Sequence, residues 1–120
     1  MRDFRHLDVW HKAHAFTLAI YRATDRFPKS ETFGLVTTLR RNATHIATKI
    51  AEGCSQDANE DYLRCLGQAR GLGVEIEYQL LLARDLQFLA TDPHDELQGQ
   101  VVEVRRMLSG VIRSRGMVVV

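Results

Sequence analysis

The run from Phe33 to Gly53 constrains the fold more than any other part of the chain. Leu35, Leu39, Ala43, Ile46, Ile50 and Cys54 recur at alternating steps of four and three, which places them on one apolar stripe of an α-helix. Arg41, His45, Thr48 and Glu52 follow the same rhythm on the other side, with a cation at one end and an anion at the other. A helix of this length with a single strong stripe needs partners to cover it, and the remaining sequence supplies three more helical segments.

Before it, Asp8 is placed to cap a helix running through Thr24 or Asp25, with Val9, Ala13, Phe16 and Ile20 along one face. Trp10, Thr17 and Tyr21 add an adjacent stripe, so the apolar arc is wider than one neighbouring helix requires. Phe27-Pro28 breaks that helix, and Ser30 or Glu31 suits the start of the next. Gly34 is costly so early in a helix, which predicts close packing by a neighbour there.

Asp57-Ala58-Asn59-Glu60 has capping-box spacing and predicts a third helix that continues to about Leu89. Tyr62, Leu66, Ala69, Gly73, Ile76, Leu80 and Ala83 form its main stripe, and Leu63, Val74, Leu81 and Phe88 form a second. Gly67, Gly71 and Gly73 predict a close approach of backbones. Asp92-Pro93 then reads as an N-cap followed by proline in the first helical position. The fourth helix carries Leu97, Val101, Val104, Leu108 and Val111 inward and frays near Gly116; Val118-Val119-Val120 either docks on a partner or ends disordered.

The fold class that follows is all-α, an antiparallel up-down four-helix bundle in one domain over residues 1–120, with helices near 8–25, 31–53, 58–90 and 93–114. With 120 residues, 45% hydrophobic and 26% charged, the chain can bury a core, and no apolar run approaches the roughly 18 residues of a membrane span. No membrane partner is expected. Neither an export leader nor a disulfide pattern is present, so a cytoplasmic location with Cys54 and Cys65 as reduced, buried thiols is expected.

Chemistry is sparsely encoded. There is no phosphate-binding glycine loop, zinc spacing or nucleophile elbow, and Glu75 and Glu77 stand on different sides of their helix. Among His6, His11 and His14 only the last two are helical neighbours, so no metal set is expected. No enzyme activity and no cofactor are expected. Arg40 and Arg41, extended by Arg105, Arg106 and Arg113, could contact the phosphates of RNA or DNA, since guanidinium forks match phosphate oxygens. A formal net charge of +1 argues against a wholesale polyanion binder.

Leu7-Asp8-Val9-Trp10, Phe27-Pro28, Glu31, Phe33-Gly34-Leu35, Leu39-Arg40-Arg41, Ile50-Ala51-Glu52-Gly53, and Arg70-Gly71 with Glu75-Ile76-Glu77 together resemble the four-helix bundle proteins encoded in intervening sequences of bacterial 23S ribosomal RNA. The resemblance spans roughly Phe4 to Ile112. That family is similar in fold to the accessory protein of diversity-generating retroelements, and the resemblance implies an up-down bundle assembling as a homopentamer. The chain departs from the family pattern at Thr38, Asn42, His45, Ala47 and Lys49, which alters the polar surface of the organising helix and leaves its apolar stripe intact.

Two function classes are therefore expected. One is a nucleic-acid-associated accessory factor whose ring repeats Arg40, Arg41, Arg105, Arg106 and Arg113. The other is a structural scaffold whose ligand is another protein. In both, Trp10, Tyr21, Leu63, Val74, Leu81 and Phe88 are the expected contacts between subunits.

Overall fold

The computed structural model describes residues 2–116, so the Val118–Val120 tail lies outside the described residues. Four helices account for the architecture: α1 (Asp8–Thr24), α2 (Thr37–Cys54), α3 (Asn59–Asp85) and α4 (Thr91–Gly116). They run alternately up and down in a bundle 51 × 21 × 20 Å, each packed on the next and α4 closing back onto α1. The α2–α3 and α3–α4 contacts are extensive, whereas α4 meets α1 over a smaller area.

The expected apolar stripes form the core. Phe16, Ile20, Leu39, Ile46, Ile50, Leu66, Ile76, Leu80, Val101 and Leu108 are fully buried, and Tyr62 lies among them with the Arg2 guanidinium 3.8 Å from its ring centre. Burial pushes the Tyr62 hydroxyl and the Cys54 thiol above their ordinary pKa values. Cys54 and Cys65 are free and buried. Polar side chains link the layers at two places. Thr17 Oγ1 reaches the Ala43 carbonyl at 3.1 Å, and Asn42 Nδ2 donates to Gln79 Oε1 at 3.2 Å.

Helix boundaries depart from the expected spans wherever the stop or start depends on more than local composition. Asp8 is not the cap of α1: Leu7 occupies that position, and Asp8 sits in the first turn, where its charge favours the helix N-terminus. The segment expected to open one straight helix at residue 31 is bent. A 3-10 turn at Lys29–Glu31 passes into a π-helical turn at Thr32–Val36, and only from Thr37 is the helix regular. Gly34 has φ −108° and ψ −113°, so it marks this bend and not a close approach by another helix. The Glu31 carboxylate accepts a hydrogen bond from the Leu35 N–H across the bend. In consequence Val36, not Leu35, begins the buried stripe.

Helix α3 ends at Asp85, five residues before the expected limit of 90, in a Schellman turn: Gln87 N–H donates to the Arg84 carbonyl and Phe88 N–H to the Ala83 carbonyl, with Gln87 at φ 64°. Glycine is the usual residue there, and glutamine concealed the stop. Its start also differs, since Ala58 stands at the N-cap with no side-chain capping bond. Helix α4 starts at Thr91, so Asp92 and Pro93 lie inside its first turn, where proline's missing N–H has no helical acceptor to lose.

The glycines of α3 are not all alike. Gly73 fits closely: a Cβ there would fall 2.7 Å from Arg105 Cγ. Gly67 and Gly71 face open space within the protomer, contrary to the expected close approach. Gly71→Ala should therefore stabilise the folded protomer by about 0.5–1 kcal/mol through backbone entropy alone, seen as a urea midpoint shifted upward. A lowered midpoint would mean that the position is already packed.

Candidate interaction surfaces

Arginine 40 projects from α2 towards the end of α1. Its Nε donates to Thr24 Oγ1 at 2.9 Å, and its Nη2 donates to the Tyr21 carbonyl at 3.1 Å and to Asp25 Oδ1 at 2.9 Å. The guanidinium carbon also lies 4.6 Å from the centre of the Tyr21 ring. A cation among the last carbonyls of a helix satisfies groups that have no intrahelical partner and opposes the negative end of the helix dipole. Arg40 is thus engaged within the protomer as a C-terminal cap for α1. Arg40→Ala should lower protomer stability by about 1–2 kcal/mol, measured by urea unfolding. An unchanged midpoint would show that the cap contributes nothing.

The other four predicted phosphate contacts are scattered. Arg105 pairs with Glu77 at 2.5 Å, its stem lying over Gly73. Arg106 pairs with Glu103 at 3.1 Å one turn away on an exposed surface, an interaction of small energetic weight. Arg41 and Arg113 are exposed and have no acidic partner among the described residues, but they lie near opposite ends of the bundle on α2 and α4, helices that do not adjoin. The structure does not bring these five arginines into one patch. Glu52, at the far end of the Arg41 stripe, pairs with Lys49 at 3.1 Å.

The predicted subunit contacts divide in the same way. Phe88, beyond the end of α3, packs on Phe27 of its own protomer with ring centres 6.0 Å apart. Leu63 is half-buried. Trp10 is half-buried between Phe4 and His14, stacked on the latter with centroids 5.1 Å apart. Tyr21, Val74 and Leu81 are exposed.

A residue absent from the expected contacts completes the pattern on α3. Val74, Tyr78 and Leu81 are 52%, 63% and 38% exposed and follow one another at steps of four and three, so they form a single apolar ridge on the outside of the bundle. The spacing was present in the sequence. Leu63 and Phe88, expected on one stripe with Val74 and Leu81, are instead partly buried against the core. Phe33, at the bend before α2, is 95% exposed.

On the α1–α4 side the bundle surface is indented by a groove of about 1130 Å³. Small side chains make the indentation: Ala15, Ala19 and Ala23 on α1 stand across from Gly99 on α4. The rim on the α1 side is basic, with Lys12 and Arg22 on the helix and Arg26 just beyond its end, and the α4 rim is acidic, with Glu96 and Glu103. A second, shallower groove of about 480 Å³ runs between α1 and α2 beside Trp10, His14 and Tyr21.

Among the described residues no three His, Cys, Asp or Glu side chains are placed to hold a metal ion. His11 Nε2 lies 2.6 Å from the Arg5 carbonyl, His14 stacks on Trp10, and His6 is exposed. No helix among the described residues is long and apolar enough to cross a membrane.

Comparison with known proteins places this geometry in a family. Residues 5–110 match the family model described as 23S rRNA-intervening sequence protein. Among solved structures, the chain is similar to a protein of unknown function from the S23 ribosomal protein family of Bacteroides thetaiotaomicron VPI-5482, with a TM-score of 0.78 and 20% identity. The match covers 87% of this chain and 97% of that one, and at this identity it shows the shared fold. No curated protein matches the chain.

Proposed function

The chain belongs to the 23S rRNA-intervening sequence protein family, and we propose that within it this protein is a non-enzymatic, self-assembling helical scaffold. The observation that carries this reading is the exposed Val74–Tyr78–Leu81 ridge, an apolar surface that a soluble monomer gains nothing by displaying. The chemistry of the arginines supports the same conclusion. Arg40 and Arg105 are bound to acceptors within the protomer, which leaves few of the predicted phosphate contacts free. Five copies is the number implied by the resemblance. The two buried free thiols fit work in the reducing cytoplasm.

A second reading, a nucleic-acid-associated accessory factor, is favoured by Arg41 and Arg113, both exposed and unpaired among the described residues. A ring repeats each of them, so contacts too weak singly gain effect through avidity. The readings separate in a fluorescence titration of the assembled protein with structured RNA at several salt concentrations. The scaffold predicts no salt-dependent binding, and the same result for wild type and Arg41→Ala. Affinity that falls steeply with salt, and falls further in Arg41→Ala, would replace the scaffold by the nucleic-acid reading. Arg40→Ala is unsuitable for this comparison because it also removes the cap of α1.

A further inference from the structure

We propose that the α3 ridge of one copy seats in the α1–α4 groove of the next, so that the assembly is built from one heterologous ridge-in-groove contact repeated around a ring. This rests on the self-assembly reading above and adds to it the two surfaces involved, their sense and their register.

Size and shape come first. The ridge offers three large apolar side chains, Val74, Tyr78 and Leu81, over about two turns of helix, or roughly 11 Å. The groove floor has alanines at four-residue steps, Ala15, Ala19 and Ala23, and a glycine across from them. Large residues on one surface and small ones on the other allow close interdigitation, whereas two ridges or two grooves facing each other would leave voids.

Height along the bundle comes second. Gln98 donates to Glu77, Arg105 pairs with Glu77, and a Cβ on Gly73 would lie 3.6 Å from Val101 Cγ2. These contacts set the stretch of α4 that borders the groove beside the part of α3 that bears the ridge. Donor and acceptor surfaces therefore sit at the same level. Rotation about an axis parallel to the bundle leaves height unchanged, so a rotated copy meets its neighbour in register without sliding along the axis.

Direction is the third consideration. Arg70 and Glu77 reach α4, while Gln79 faces α2, and the ridge lies between these two flanks on the outside of α3. Ridge and groove thus stand on either side of α4 and are not back to back. Each added copy turns the array, which is the condition for a heterologous contact to close into a ring instead of extending as a straight fibre.

Charge supports the same sense of docking. Glu75, four residues before Gln79, is on the flank of the ridge away from α4; it is exposed and has no cationic partner among the described residues. Seating the ridge presents this flank to the α1 rim of the next copy. Lys12, Arg22 and Arg26 on that rim likewise lack acidic partners among the described residues. Complementary charges at the rim fix orientation and speed association more than they add affinity.

The test uses two variants of the full chain, each altering one surface. Tyr78→Arg disrupts the ridge at an exposed position, and Gly99→Trp fills the groove from a position where nothing lies within 4 Å of an added Cβ. Far-ultraviolet circular dichroism should show both folded as wild type. In sedimentation velocity each alone should assemble at least about tenfold more weakly than wild type, the loss expected for removing a central contact. Mixed together, they should form a one-to-one pair and nothing larger, because the intact ridge of Gly99→Trp enters the intact groove of Tyr78→Arg and leaves two blocked surfaces. Wild-type assembly retained in Gly99→Trp, or no pairing in the mixture while wild type assembles, would overturn the ridge-in-groove contact and leave self-assembly standing. A wild-type chain that is itself monomeric would overturn self-assembly as well.

Discussion

Leu39→Asp should leave the protomer unfolded. Leu39 has no exposed surface and lies on the α2 stripe that meets the rest of the core. Removing a buried leucine side chain costs about 2–5 kcal/mol, and an aspartate in its place must either carry an unpaired charge into the interior or be held protonated there. The sum is comparable with the whole stability of a small domain, about 5–15 kcal/mol. Loss of the helical circular dichroism signal at physiological temperature is the expected result. A cooperative urea transition near the wild-type midpoint would mean that α2 is not the centre of the core. Tyr78→Arg, also on a helix stripe, should leave the fold intact, and that contrast separates the inward stripe from the outward ridge.

Gly53→Val should be the most damaging substitution among the glycines. A Cβ at Gly53 would lie 3.0 Å from Cys65 Cβ, 3.3 Å from Tyr62 Cδ1 and 3.4 Å from the Tyr62 carbonyl. Two of these neighbours are close to or part of the α3 backbone, so they cannot swing aside as the end of a flexible side chain can. Valine would force α2 and α3 apart at the lower end of one of the bundle's largest contacts. A penalty of about 2–3 kcal/mol is expected, at the upper end of overpacking effects, and it outweighs the gain of about 0.5 kcal/mol from removing a helical glycine. Urea unfolding measures it directly. A midpoint equal to or above wild type would show that the helices can separate at no cost.

Leu39 also shows what is legible in the sequence alone. Leu39 belongs to a stripe with a period that only an α-helix explains, and all four helices were visible by that reasoning. Boundaries were less legible, because they depended on single backbone conformations. Gln87 adopts φ 64° without being glycine, and Gly34 bends the chain where the period alone suggests continuity. Arg40 shows a different limit. Its partners Thr24, Tyr21 and Asp25 are 15–19 residues away in sequence, and only the packing of α2 against α1 turns a candidate phosphate contact into a helix cap. The ridge was partly legible through Val74 and Leu81, and the groove was not, since a surface made by alanines and a glycine on two helices has no periodic signature. The family resemblance drawn from scattered short motifs agrees with the match over residues 5–110.

Self-assembly of the wild-type chain is the claim on which the functional reading depends, and multi-angle light scattering over a dilution series reaching low micromolar concentration tests it most directly. The account predicts a closed species of several copies of the 13.7 kDa chain, five by resemblance, with a mass that does not grow as concentration rises. A mass of one chain throughout the series would contradict it.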